Sequence, residues 1–208
     1  SGEAVLHRGK IKDPLLKYIN FSRLFQIGSY RNNRSFLKDR PSQTFLGAQS
    51  VFNFYSPTHV PNLAFAQLGL VAPELEVITA ETIVSDASKY AYISTSFQRD
   101  FHVSQGVSDE TLDYFEHSPV HDLSPIINRL NETGQESVID FLDEYMSQSQ
   151  LTPSLRNYLS EYLSVGLGHI ETAEYYSSDA HRTDARHRLL IDLIYLIAIS
   201  PEYALQPL

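Results

Sequence analysis

Between Thr152 and Gly168 the apolar residues Leu155, Tyr158, Leu159, Tyr162 and Leu163 fall at i, i+3, i+4, i+7 and i+8 without a miss. Only an α-helix of about 3.6 residues per turn brings such positions onto one face, so a helix must lie here and must bury that face. Thr152-Pro153 supplies its start, with an N-cap hydroxyl followed by proline at the first helical position. Gly166 and Gly168 are expected to stop it. A second helix is also legible. Leu189, Leu190, Ile191, Leu193, Ile194, Leu196 and Ile197 are apolar almost all round a helix predicted from about Thr183 to Ser200 and closed by Pro201. That pattern marks a central helix enclosed by others. With Asp192 inside it, the run is far shorter than the roughly 18 apolar residues a membrane span requires.

The remaining segments read as further helices separated by loops. Asp13-Pro14 opens one in which Leu15, Leu16, Ile19 and Leu24 face inward and Lys17, Asn20 and Arg23 form a polar stripe, ending at Gly28-Ser29. From Pro73 or Thr79 to about Ser94, residues Ala80, Ile83, Val84, Ala87, Tyr90 and Ala91 recur at helical spacing. Ser124-Pro125 starts a short helix through Ile126, Ile127 and Leu130. Gly134 separates it from another carrying Val138, Ile139, Leu142, Tyr145 and Met146. No strand pair joined by a hairpin turn and no internal repeat is found. The expected fold is all-α, a multi-helix orthogonal or bundle-like domain over residues 1–208, with a weak internal break at 104–125.

Composition fits one well-buried domain: 208 residues, 42% hydrophobic and 20% charged. Without cysteine there are no disulfides, thiolate metal sites or cysteine nucleophiles. Without tryptophan, core aromatics must be Phe, or Tyr whose hydroxyl finds a partner, so tyrosines are expected near the core boundary. The net charge of −9 is uneven. Residues 1–40 carry nine Lys/Arg against three Asp/Glu, while the remainder carries seven against twenty-two. The basic positions Arg23, Arg31, Arg34, Lys38 and Arg40 are expected to pair with the chain's own carboxylates. So acidic a remainder argues against nucleic acid as a partner, because phosphate neutralisation dominates such binding.

One segment follows neither helical nor strand periodicity. Leu46-Gly47-Ala48-Gln49-Ser50-Val51-Phe52-Asn53-Phe54-Tyr55-Ser56-Pro57 is answered by Gly69-Leu70-Val71-Ala72-Pro73-Glu74. Ser56-Pro57 and Val60-Pro61 interrupt any helix, so a long ordered coil is expected. The pair resembles a signature of the bacterial domain-of-unknown-function (DUF) 1800 family, "SVFxFFSPxYxP" followed by "LVAPE". Gly9-Lys10-Ile11-Lys12-Asp13-Pro14 is similar to that family's "GKLREP". Arg186-His187-Arg188-Leu189-Leu190 with Ser200-Pro201-Glu202-Tyr203-Ala204-Leu205-Gln206 is similar to its "RxRLAxxLxxxSPEFxxQ". The matches span most of the chain, Ser104 to Gln150 excepted. The resemblance implies the C-terminal portion of a larger exported protein, periplasmic or extracellular, with a co-encoded exported protein as partner. The start Ser1-Gly2-Glu3, without Met, agrees with an excised piece. No catalytic residues come with the family, and no cofactor is implied.

Three sets of residues carry candidate chemistry. His117, His121 and Asp122 offer two imidazoles and a carboxylate to a transition metal, but Pro119 spoils helical i, i+4 geometry and the other ligands must come from elsewhere, so a capped turn is expected. His169, Glu174, His181 and His187, with Glu171, Asp179 and Asp184, mix bases and carboxylates ahead of the apolar helix. Held in a cleft they would suit general acid–base work; spread along a surface they stabilise a helix N-terminus. Phe52, Phe54 and Tyr55 either line a ligand groove or pin the coil to the helices, and pinning is preferred. Phosphate loops, dinucleotide fingerprints, serine-nucleophile elbows and zinc-protease motifs are all missing. The expected function is a non-catalytic binding or scaffold module in an envelope or polysaccharide-related assembly. The alternative is a hydrolase whose His/carboxylate site is completed by an N-terminal part.

Overall fold

A computed structural model describes residues 8–24, 28–29, 54–96, 119–120 and 123–207. Those residues are mostly helical, as the periodicities require. Strand β1 (Arg8–Ile11) leads into helix α1 (Pro14–Leu24), and β2 (Gly28–Ser29) follows. Helix α2 (Leu63–Gln67) and a 3₁₀ turn (Pro73–Val77) precede α3 (Ala80–Ser96). After β3 (Pro119–Val120) come α4 (Ser124–Thr133), α5 (Gln135–Leu142) and a π-helical turn (Asp143–Ser147). Two long helices follow, α6 (Pro153–Thr172) and α7 (Asp179–Ala198), with a 3₁₀ turn (Glu174–Tyr176) between them. The short helix α8 (Pro201–Ala204) and strand β4 (Leu205–Pro207) complete the order.

The core is built around α7. Leu190, Leu193, Ile194 and Ile197 are fully buried against Leu159 and Leu163 of α6, Val138, Ile139 and Leu142 of α5, and Met146. Each such side chain contributes about 1.5–3 kcal/mol by leaving water. The stripe read on α6 is thus half right: Leu159 and Leu163 are buried, while Tyr158 is exposed. Helices α6 and α7 form an antiparallel hairpin. The Tyr162 hydroxyl donates to Asp192 at 2.9 Å, Gly166 abuts Leu189, and Glu171 pairs with Arg186 at 3.9 Å, so partners step in opposite directions along the two helices.

The expected glycine stop is corrected here. Helix α6 runs through Gly166 and Gly168 to Thr172. Gly166 is where the hairpin closes: a Cβ there would stand 2.5 Å from a Leu189 methyl. Its lack of a side chain permits close helix approach rather than termination. Helix α7 likewise starts at Asp179, not near Thr183, because the Ser178 hydroxyl accepts from the His181 N–H and caps it.

Two inward faces differ from expectation. On α1 the core residues are Tyr18 and Phe21, while Leu16 is exposed and Lys17 pairs with Asp86 of α3 at 3.4 Å. On α3 only Tyr90 of the apolar stripe is deeply buried; Ile83 and Val84 are 58% and 66% exposed. Tyr145 in the π turn is exposed as well, its ring against Phe141, while Met146 beside it is buried. Two short antiparallel pairings join distant segments, neither of them a hairpin: β1 with β4, Ile11 opposite Leu205, and β2 with β3, Gly28 opposite Val120. Among the described residues no helix is long and apolar enough to cross a membrane.

Candidate functional site: a cleft with a buried lysine

Ser200-Pro201 ends the central helix and makes one more turn. The Ser200 hydroxyl accepts from the Tyr203 N–H, Pro201 takes the first helical position, and the buried Glu202 carboxylate accepts from the Thr152 hydroxyl at 2.7 Å. Tyr203 is thereby driven into the core. Its hydroxyl donates to the Lys17 carbonyl at 2.7 Å, and its ring meets Tyr90 edge-on, with Phe21 beside Tyr90 in turn. Burial pushes the Tyr203 and Tyr90 hydroxyls well above the usual tyrosine range.

Lys12 reaches the same turn from β1. Its N–H donates to the Ala204 carbonyl at 2.7 Å, its ammonium Nζ donates to the Tyr203 carbonyl at 2.9 Å, and Nζ stands 4.8 Å from the Tyr203 ring centre. The residue is only 3% exposed, and among the described residues no carboxylate lies within ion-pairing distance of it. Burial, and then the nearby Lys17 charge, pull its ammonium below the ordinary lysine range.

Above this turn lies a cleft of about 470 Å³ between β1, α3 and the end of α7. Its walls include Ile11, Ile78, Ile83, Ala87, Ile199 and Leu205; Lys12, Lys17 and Asp86 are its charged groups. This explains why Ile83 sits in an apolar stripe without being covered. Lys12 was not singled out by the sequence, because its partners lie some 190 residues away and no local period marks it. The only available signal was the surplus of apolar residues on α3.

A second, shallower groove of about 320 Å³ lies on the α6–α7 hairpin beside Tyr158, Tyr162 and Val165. Burial, and then the bond to Asp192, push the Tyr162 hydroxyl up to about 12.

The sequence-predicted candidates lie elsewhere. His169 and Glu174 are exposed around the end of α6, His181 is exposed in the first turn of α7 and stacks on Tyr175, and His187 is half-buried with Nδ1 3.0 Å from the Thr183 carbonyl oxygen. Two neighbouring carboxylates pair with arginines, Glu171 with Arg186 and Asp184 with Arg188. Asp179 occupies the first turn of α7, where it complements the helix dipole, whereas Asp184 lies beyond that turn. Among the described residues no three His or carboxylate side chains are grouped to hold a metal. His117, His121, Asp122 and Phe52 lie outside the described residues. Phe54 and Tyr55 are half-buried and line neither cavity. Their strap is closed by Ser56, whose N–H donates to the Glu76 carboxylate, and by Ala72, whose N–H donates to the His59 carbonyl. In comparisons with known proteins, no family model, no curated protein and no solved structure matches this chain.

Proposed function

We propose that this chain is a non-catalytic helical binding module, and that it binds in the cleft between β1, α3 and the end of α7. The observation that carries this reading is an apolar concavity of a size typical for small-molecule sites, whose lining includes the Lys17–Asp86 pair and the buried Lys12. The DUF 1800 resemblance adds that the module belongs to the C-terminal portion of an exported bacterial protein, working beside a co-encoded exported partner. Two segments that carry the resemblance, at Lys12 and at Tyr203, meet at the floor of the cleft.

The test is binding of an uncharged solvatochromic dye such as Nile red to the purified chain and to Ala87→Phe, which fills the cleft from α3. We expect saturable dye fluorescence with the wild type and at least a tenfold weaker response with the variant, at unchanged helical circular dichroism. Equal dye binding by both proteins overturns the assignment.

A further inference from the structure

The lining of the cleft is one-sided in its chemistry. Among the lining hydroxyls, Thr82 Oγ1 donates to the Val77 carbonyl at 2.7 Å and Ser200 Oγ accepts from the Tyr203 N–H, while Tyr90 presents a third. The remaining polar groups are charged. Lys17 and Asp86 neutralise each other at 3.4 Å, whereas Lys12 faces one carbonyl and, among the described residues, no carboxylate. A lysine ammonium has three donors, and only one is used on a described residue. A buried ammonium gains most from a charged, hydrogen-bonding partner, so the cleft favours a single negative charge over a neutral or cationic head. A dianion would exceed the one uncompensated charge.

We propose that the cleft binds a small amphipathic monocarboxylate, its head on the Lys12 ammonium and its hydrocarbon body along Ile78, Ile83, Ile199 and Leu205; it rests on the binding role proposed above. At roughly 30 Å³ per non-hydrogen atom, the share a water takes in the liquid, the volume holds a ligand of about fifteen such atoms. A saturated carboxylate of about ten carbons meets that limit. The lowered pKa of Lys12 is consistent with an ammonium short of a counter-ion.

The experiment is calorimetric titration of the chain with decanoate, decanol and decyltrimethylammonium below their micelle thresholds, on the wild type, Lys12→Met and Lys17→Gln. Decanoate should bind the wild type at least tenfold more tightly than decanol, and the ammonium compound should bind most weakly. Lys12→Met should reduce the decanoate-to-decanol ratio to near one with decanol binding retained. If Lys12→Met does not fold, Lys17→Gln, which leaves Asp86 unpaired beside the cleft, should lower the decanoate-to-decanol ratio severalfold. Decanol binding as well as decanoate, or a decanoate preference that survives whichever of these variants folds, overturns the carboxylate assignment alone. If neither Nile red nor decanoate binds the wild type, the binding role falls with it.

Discussion

Tyr203 is held by four different groups: its N–H by Ser200, its carbonyl by the Lys12 ammonium, its hydroxyl by the Lys17 carbonyl, and its ring by Tyr90. Removing only the hydroxyl removes its bonds to the Lys17 carbonyl and the Phe21 backbone and leaves the ring. Tyr203→Phe should lower the free energy of unfolding by about 0.5–1.5 kcal/mol for each internal hydrogen bond lost, in a denaturant titration. Tyr203→Ala should lower it by about 3–5 kcal/mol, because a cavity is left in the core. An alanine variant no worse than the phenylalanine variant would show that the ring is not packed as described. Little of this was legible in the residue itself. With no tryptophan in the chain, tyrosines were expected near the core boundary with partnered hydroxyls; Tyr203 has the partner but sits at full depth. Lys12 was read only as part of a family motif, since nothing local distinguishes a lysine that will be buried from one that will remain in water.

Within helix α6, two glycines only two residues apart, and so on opposite faces, behave differently. A Cβ on Gly168 meets nothing within 4 Å, whereas one on Gly166 collides with Leu189. Gly168→Ala should therefore stabilise the protein by up to about 1 kcal/mol, the helix-propensity difference. Gly166→Ala gains the same propensity but forces Leu189 to shift, at about 1–3 kcal/mol of strain, and should be net destabilising. A double-mutant cycle separates the two contributions: with Leu189→Ala already present, the penalty for Gly166→Ala should vanish or reverse. An equal penalty in both backgrounds would remove Leu189 from the explanation. Element existence was legible wherever a periodic stripe was long, as in α6 and α7. Boundaries were not, because glycine inside a helix and glycine ending one look alike until the neighbouring helix is in place. The stripe on α3 was legible as apolar, but its destination was not: part of it lines a cleft instead of a core.

Across the whole molecule the buried tyrosines set the response to alkali. Tyr90 and Tyr203 keep their protons in the fold beyond the ordinary value, and Tyr162 does so up to about 12. Below pH ~10 both folded and unfolded chains are protonated at these sites and the contribution is complete. Above it the unfolded chain ionises first, so stability should fall as pH rises, with Tyr162's share gone once pH passes about 12. Lys12 acts with the opposite sign: its depressed folded value makes the unfolded chain the better proton binder until pH ~10.4, so its penalty eases up to there. Denaturation midpoints from pH 8 to 12 should therefore drop mainly beyond pH 10, less steeply in Tyr162→Phe, and a flat profile would contradict the burial of these rings. The all-α architecture was legible because helical periodicity is local. The cleft was not, because strand β1 and the turn that follows α7 meet only through tertiary folding. That pairing carries a temporal consequence. On a ribosome, helices α3 to α7 can begin to pack as they emerge, but the Lys12 ammonium has no carbonyl to hold until Tyr203 has been made. The cleft can therefore form only after the turn from Ala198 to Leu205 has been made, however early α3 has folded.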